Sequence, residues 1–363
     1  MSHRWPEHRF YQRLLELLEE GRHPYLCRVV EATGSAPRNP GAQMMVLPGG
    51  AIEFTLGGGS IEGQVIRQAL LSFDAPKAFL REYHLGDLGM HCGGIMRVLF
   101  DPTPQQDLHL YRAACDLIAQ RQAFALVLQL PEGESKTVHK ALLAPSGLAL
   151  GQATLLRSAR PLVKDLPPHG VPATVVEGLF IQWVLPPLRL LIFGAGHVGS
   201  KLAEVAAATG VFEVHIVDDR AAFADPQKLP FCQTVRVVDE NYEGPLPLPD
   251  ERTFVAVITR CHATDLVVVR HLLSAKSPFA YLGMIGSVPK RARLFKMLQQ
   301  EGVSSEQLAQ VTTPMGLPIG GKDPGEIALS MLAQMIQRKN NLAGTLEGGM
   351  ARWQRKRQTK STL

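Results

Sequence analysis

The sequence has few cysteines and no cysteine motif. Its 363 residues include five cysteines, an odd number, widely spread and without a CxxC pair. This pattern argues against a disulfide framework and a zinc site, and it predicts a reducing, cytoplasmic location. No stretch reaches the eighteen or so apolar residues of a membrane span, and the charged N-terminus lacks the apolar run of a signal peptide. We therefore expect no membrane association.

The body of the chain has no net charge. The formal net charge is +5, and segment 351–363 alone contains five basic residues and no acidic ones. The basic pI therefore predicts a flexible basic tail over 343–363, and it does not indicate a nucleic-acid-binding face. We expect no nucleic-acid partner.

The length predicts two domains. Residues 1–150 alternate short strands, glycine turns and amphipathic helices, which predicts an α+β domain with mostly one sheet and helices on it. Seven prolines between positions 145 and 188 predict a linker over 151–188.

The second half of the chain has a different order of predicted elements. Residues 189–342 alternate continuous apolar strands with helical segments, including a closing helix over 324–340, which predicts a doubly wound parallel sheet. The predicted fold class is therefore α/β: an N-terminal α+β domain followed by a Rossmann-like parallel-sheet domain.

A glycine turn opens the second domain. Gly194, Gly196 and Gly199 form G-x-G-x-x-G between a predicted strand and a predicted helix, and Asp218 ends the next strand. This context is typical of dinucleotide binding, with a phosphate at the helix N-terminus and Asp218 accepting from a ribose hydroxyl. The alternative is a Rossmann-like domain that no longer binds a nucleotide. His197 is either a phosphate donor or a helix cap.

A second polar segment, "TRCHATD", ends a later strand. It places His262 and Asp265 where ligands of parallel sheets bind, and both are candidates for acid–base chemistry. An NAD(P)-dependent oxidoreductase is therefore an alternative function. The domain that precedes the Rossmann unit does not look like a catalytic domain appended to it.

Three glycine-rich loops occur in the first domain. If they converge, their backbone amides could hold an anionic ligand and Arg38 could neutralise it, with Ser60 as the N-cap of a helix. The alternative for each loop is a tight turn. The candidate residues are Gly34, Ser35, Arg38, Gly57, Gly58, Gly59, Ser60, Cys92, Gly93 and Gly94.

These motifs resemble the XdhC/CoxI family over about residues 10–340. The first-domain motifs are "EATGSAPRNPGAQMMV", "TLGGGSIE" and "CGG". Those of the second domain are "IFGAGHVG", "VDDR", "TRCHATD", "YLGMIGSVPKRARL" and "TPMGLPIGGKDPGEIALSMLAQMI". Members of this family are maturation factors for molybdenum hydroxylases such as xanthine dehydrogenase. They bind the molybdenum cofactor, support its sulfuration with a cysteine desulfurase and deliver it to the apo-enzyme.

The resemblance implies that this chain is a carrier and insertion chaperone rather than an enzyme, and that it forms a homodimer. It would bind molybdopterin or its cytosine dinucleotide form between its two domains, and the turn at 194–199 would hold the phosphate end or a separate dinucleotide. Cys92 becomes the candidate metal ligand, since a thiolate is a soft partner for molybdenum. The alternative for Cys92 is a buried structural cysteine.

The sequence departs from the family at one loop. Cys261 replaces the glycine of "TRGHEHD", and one histidine and one glutamate of that loop are missing, although His262 and Asp265 remain. Downstream, Lys290, Arg291 and Arg293 either meet a phosphate or form a solvated helix face.

Overall fold

The chain forms two units that meet in sequence between Pro186 and Pro187. The computed structural model describes residues 7–89, 93–102, 107–165 and 173–341. The basic tail predicted over 343–363 lies outside these ranges. Each unit has its own sheets and its own apolar cores.

The first unit contains an antiparallel sheet of five strands, in the order β3-β2-β1-β5-β4. Side chains alternate between its two faces, as the pleat requires. Cys27 and Val29 pack on one face, whereas Leu26 and Val30 pack on the other. The strands are β1 (Tyr25–Thr33), β2 (Gln43–Val46), β3 (Ile52–Phe54), β4 (Phe79–His84) and β5 (Ile95–Asp101).

A second antiparallel sheet of five strands completes this unit, in the order β8-β7-β6-β10-β9. The strands are β6 (Phe124–Gln129), β7 (Lys140–Leu143), β8 (Ala149–Gly151), β9 (Ala173–Val176) and β10 (Leu179–Val184). The helices of the unit are α1 (Glu7–Glu19), α2 (Ser60–Leu71), α3 (Leu108–Ala119) and α4 (Ala153–Asp165).

The four helices and two sheets form layers. Helices α1 and α3 share a core with the inner faces of both sheets, through residues such as Leu14, Leu99 and Phe180. Helix α2 covers the outer face of the first sheet, and α4 covers the outer face of the second.

A buried ion cluster joins the two sheets. Lys140 on β7 pairs with Asp101 on β5 at 2.9 Å and with Asp107, which precedes α3. Burial raises the pKa of Asp107, and the Lys140 charge opposes that rise. Removing one partner would leave an uncompensated buried charge, so the loss of either side chain is expected to destabilise the packing of the two sheets.

Two sequence predictions for this unit are wrong. The unit has two sheets where one was predicted, and much of the linker predicted over 151–188 is regular structure. Helix α4 contains Pro161, and β10 lies beside β6 inside the second sheet with all six residues buried. The apolar character of β10 outweighs the prolines around it.

The second unit is a parallel sheet of six strands, in the order β13-β12-β11-β14-β15-β16. Read in sequence order this is 3-2-1-4-5-6, the strand order of a Rossmann fold, which confirms the predicted doubly wound parallel sheet. The strands are β11 (Leu188–Phe193), β12 (Phe212–Asp218), β13 (Thr234–Val237), β14 (Thr253–Val257), β15 (Tyr281–Met284) and β16 (Val311–Thr312).

Helices cover both faces of this sheet. One core contains residues of α5 and the last helix, and the other contains residues of α6 and α7. The predicted closing helix over 324–340 is present as α9. The helices are α5 (His197–Thr209), α6 (His262–Ser274), α7 (Val288–Gln300), α8 (Ser305–Ala309) and α9 (324–341).

Candidate functional site

The glycine-rich loops of the first unit converge. Ser35, just after β1, forms an isolated bridge with Gly93, just before β5. Gly57, in the turn before α2, lies against Pro37 and Arg38. The structure therefore brings together the three loops that the sequence identified. We call residues 34–38, 57–59 and 93–94 the glycine-loop cluster.

Close backbone packing explains two of these glycines. A Cβ on Gly94 would lie 2.6 Å from the carbonyl oxygens of Thr33 and Ser35, and a Cβ on Gly57 would lie 2.8 Å from Pro37 Cβ. Gly57 also has a φ of +124°, which side chains rarely adopt. Any larger residue at either position would push the loops apart.

Three amides of the 55–59 turn already have an acceptor. Glu62 Oε1 accepts from the backbone N–H groups of Leu56 at 2.8 Å, Gly57 at 3.1 Å and Gly58 at 2.9 Å, and from the hydroxyl of Thr55. The amides of Leu56, Gly57 and Gly58 therefore already donate to a carboxylate of the chain, which counts against the prediction that they bind an anionic ligand. The role of Glu62 was not predicted from the sequence, where it reads only as an acid in the first turn of the helix.

Ser60 is also placed differently from its prediction. Helix α2 begins at Ser60 with Gly59 as the N-cap residue, and no side chain caps the helix. The Ser60 side chain is therefore not the N-cap acceptor. Glu62 places a negative charge in the first turn of α2, which is favourable near a helix N-terminus.

Arg38 carries the positive charge of the cluster. Its Cγ would lie 3.1 Å from a Cβ on Gly57, and within the described part of the chain no carboxylate pairs with it. Cys92, with His91, falls outside the described residues, so its predicted ligand role stays a prediction. Gly93, which follows Cys92 directly, is inside the cluster through its bridge to Ser35.

The glycine turn of the second unit has the geometry that its motif requires. Gly194 has a φ of +113°, and a Cβ there would lie 2.1 Å from the carbonyl oxygen of Ile258. A Cβ on Gly199 would lie 1.8 Å from the carbonyl oxygen of Gly194, so helix and turn pack without room for a side chain. Gly196 precedes α5 and faces open space, and His197 is exposed as the first residue of α5.

Asp218 does not have the exposed position that ribose binding needs. Its carboxylate is fully buried and accepts from the backbone N–H of Ala195 at 2.7 Å and from Arg220, through both the backbone and the guanidinium. Burial alone would raise the pKa of Asp218, but the bonds from Arg220 and Ala195 hold it below its usual value. Asp218 therefore stabilises the glycine turn through its bond to the Ala195 amide. The ribose contact predicted for Asp218 is not supported by this position.

The next acid, Asp219, belongs to a network that the sequence analysis missed. Its Oδ2 pairs with Arg260 and accepts from the backbone N–H of Asn241 at 2.9 Å, and Arg260 also donates to Asn241 Oδ1 at 2.7 Å. The only sequence signal was the doubled acid in "VDDR". This network ties the end of β12 to the end of β14.

The polar residues after β14 separate into buried and exposed groups. Asp265 is fully buried, pairs with Lys290 at 2.6 Å and accepts from Thr259, so it is committed to structure. His262 is exposed at the start of α6. Of the predicted basic group, Lys290 makes this ion pair, whereas Arg291 and Arg293 are exposed on α7.

Cys261 is the exposed thiol of this loop. It precedes α6, and its Sγ lies 3.4 Å from Thr264 Oγ1. The side-chain contact with Thr264 and the helix amides lower the pKa of Cys261. By contrast, burial raises the pKa of Cys115 to about 12 and that of Cys232 to about 11. Cys261 is therefore the more reactive of these three thiols.

The described residues contain neither a metal-binding cluster nor a membrane-spanning helix. Across residues 7–89, 93–102, 107–165 and 173–341, no three histidine, cysteine, aspartate or glutamate side chains lie close enough to hold a metal ion. Over the same ranges, no helix combines the length and the apolar character needed to cross a membrane.

Fold and site together define a class: a glycine-loop α+β unit followed by a Rossmann unit with an intact glycine turn. The chain belongs to the XdhC and CoxI family. Residues 17–84 match the family's XdhC and CoxI region, and residues 190–335 match the XdhC Rossmann domain.

Named relatives cover nearly the whole chain. It is 27% identical over 345 residues to a Bacillus subtilis protein named as a probable xanthine dehydrogenase subunit, covering 92% of this chain and 98% of the relative. It is 28% identical over 327 residues to the molybdenum cofactor insertion chaperone PaoD of Escherichia coli, covering 88% and 85%. A crystal structure described as a xanthine dehydrogenase from Bacillus halodurans superposes with a TM-score of 0.74 at 23% identity, covering 91% and 96%, which supports the fold.

Proposed function

We propose that the protein is a maturation chaperone that binds the molybdenum cofactor and inserts it into a molybdenum hydroxylase such as xanthine dehydrogenase. Similarity to PaoD, whose name states this role, supports the proposal over most of the chain. The observation that carries it is the Ser35–Gly93 bridge, which holds two of the glycine loops together. Gly93 directly follows Cys92 in the sequence.

The residues of the cluster suit a bulky anionic cargo. Glycines at 57, 93 and 94 leave the backbone bare of side chains, and Arg38 offers a guanidinium that no carboxylate of the described ranges neutralises. Cys92 would supply a soft thiolate to the metal. Glu62 would hold the 55–59 turn in place and contribute no donor to the cargo.

In the second unit, the proposal assigns a phosphate to the turn at Gly194, Gly196 and His197. The amides at the start of α5 and the open space at Gly196 suit an anion. Because Asp218 is occupied by Arg220, the sugar of any bound nucleotide would need a different partner. The phosphate would come from the cofactor, in its plain or its cytosine dinucleotide form, or from a separate nucleotide.

The proposal also includes partners and location. The cargo would be sulfurated with a cysteine desulfurase and passed to the apo-hydroxylase, and the protein would act as a homodimer in the cytoplasm. The free thiols of Cys27, Cys115, Cys232 and Cys261 fit a reducing compartment.

An NAD(P)-dependent oxidoreductase is the second candidate, favoured by the 3-2-1-4-5-6 strand order and the glycine turn. Hydride transfer needs an acid–base group near the nicotinamide. Asp265 is buried and paired with Lys290, which leaves His262 as the candidate for that role.

Retention of cofactor tests the proposal. The protein is purified from a molybdenum-replete host, and molybdenum and pterin are measured in the wild type, in Cys92→Ala and in the control Cys115→Ala. We expect the wild type and the control to carry both molybdenum and pterin. We expect Cys92→Ala to carry about tenfold less molybdenum than the wild type. A wild type that lacks molybdenum but binds NADH and reduces a carbonyl would contradict the proposal.

A further inference from the structure

The first unit contains a cleft that the sequence did not reveal. It has a volume of about 570 Å³ and lies between the first sheet and β9, the edge strand of the second. This size suits a small ligand. Residues of the cleft include Glu31, Thr33, Glu82, Arg97 and Thr174.

The inner face of the first sheet changes from apolar to charged at this cleft. Leu80 and Leu99 are opposite each other in the register and pack into the core. Glu82 lies two residues after Leu80, and its partner Arg97 lies two residues before Leu99. Glu31 lies opposite Arg97 on its other side. The three side chains therefore lie in one row on the same face of the sheet, with Arg97 between Glu31 and Glu82. Strand β9 lines this face.

This charged row is not balanced. Arg97 pairs with Glu31 Oε2, whereas Glu82 pairs with His84 Nε2 at 3.0 Å. Glu82 is contacted at one oxygen by the exposed His84 side chain and is not paired with Arg97, so its carboxylate keeps acceptor capacity for a ligand. All three side chains keep between a third and a half of their exposure, so a ligand in the cleft can reach them.

We infer that this cleft binds the 2-amino-4-oxo pyrimidine edge of a pterin, and that it holds the pterin end of the molybdenum cofactor. That edge presents two adjacent N–H donors, which a carboxylate accepts together, and a carbonyl oxygen, which a guanidinium donates to. Guanine has the same edge and adenine lacks it. The flat ring fits between the sheet face and the small residues Ala173 and Thr174 of β9.

The position of the cleft agrees with this ligand. Thr33 leads directly into Gly34 and Ser35, and Ile95 directly follows Gly94, so the cleft continues from the glycine-loop cluster. A ligand with a heterocycle at one end and a metal at the other would use both. This inference rests on the proposed function for the identity of the pterin.

Fluorescence titration with free pterin tests the inference. The variants are Glu31→Gln and Glu82→Gln, alone and combined, which keep the size of the side chain and remove its charge. The matched control is Glu134→Gln, because Glu134 is an ion-paired, exposed carboxylate that lines a different cleft of this unit. We expect the double variant to weaken pterin binding at least about tenfold and the control to leave it unchanged.

Competition identifies the heterocycle. GMP, which has the same edge, should displace pterin, and AMP, which lacks it, should not. Equal displacement by AMP, tighter binding of GMP than of pterin, or pterin binding that ignores Glu31 and Glu82 would overturn the inference. Circular dichroism and melting temperature check that each variant is folded.

Molybdenum content of the same preparations separates the two proposals. If the wild type carries molybdenum but pterin binding is the same in all variants, the cleft assignment fails and the chaperone proposal stands. If the wild type carries none while pterin binding depends on Glu31 and Glu82, the chaperone proposal fails and the cleft still binds a pterin.

Discussion

Replacing Glu62 is expected to destabilise the first unit more than its partial exposure suggests. One oxygen of this carboxylate accepts from three backbone amides and one hydroxyl of the turn before α2. A hydrogen bond to a charged group contributes about 1.5–3 kcal/mol, but bonds that share one oxygen do not add, and the Gly57 amide can reach water. We expect a loss of about 2–4 kcal/mol for Glu62→Ala and about 1 kcal/mol for Glu62→Gln, which still accepts.

Urea unfolding followed by tryptophan fluorescence measures this loss. No tryptophan lies within 187–341, and Trp183 is buried in β10, so the change in Trp183 fluorescence reports the first unit. Glu19→Ala is the control, because Glu19 makes one exposed ion pair with Arg112 and should cost less than about 0.5 kcal/mol.

The loop conformation has a functional consequence. Without Glu62 the 55–59 turn loses its anchor against Pro37 and Arg38, so Glu62→Ala should retain less molybdenum at temperatures where it is still folded. A free energy of unfolding for Glu62→Ala equal to that of Glu19→Ala would refute the role given to this carboxylate.

Three further predictions concern single residues. Gly94→Ala should lower stability by several kcal/mol in the same unfolding assay, since its Cβ would meet two carbonyl oxygens; a neutral effect would contradict the loop packing. Because the pKa of Asp218 is lowered, the stability that its charged form contributes is full above about pH 4 and is lost as the pH falls further. The difference in unfolding free energy between the wild type and Asp218→Asn should therefore shrink in acid. A difference that stays constant with pH would count against this. At neutral pH, iodoacetamide should label Cys261 faster than Cys115 or Cys232, as peptide mass spectrometry would show; equal rates would contradict the lowered pKa.

The second unit could be predicted because its signals are local. A strand, a glycine turn and a helix follow one another at 188–209, and continuous apolar strands alternate with helices after them, so the parallel sheet follows from the pattern. The roles within it depended on side-chain partners that no spacing reveals. Asp218 has the right position for a ribose, yet Arg220, two residues later, occupies it.

The first unit was harder because its second sheet joins distant segments. Strand β10 pairs with β6, and about fifty residues of sequence separate them, whereas the prolines in between read locally as a break. Convergence of the glycine loops was one of two alternatives that the sequence left open, and the structure shows it. The acceptor for the turn amides was not predicted, since Glu62 reads as an ordinary first-turn acid. The charged row of Glu31, Arg97 and Glu82 depends on strand register and on a β-bulge after Val29.

Transfer of cofactor to an apo-hydroxylase tests the central claim most directly. The protein, purified with its molybdenum, is mixed with apo-xanthine dehydrogenase, and both the enzyme activity and the molybdenum content of each protein are followed. The account predicts that activity appears as molybdenum moves to the hydroxylase, and that Cys92→Ala prepared in the same way gives little of either. Molybdenum that stays on the wild-type protein while the hydroxylase remains inactive would contradict it.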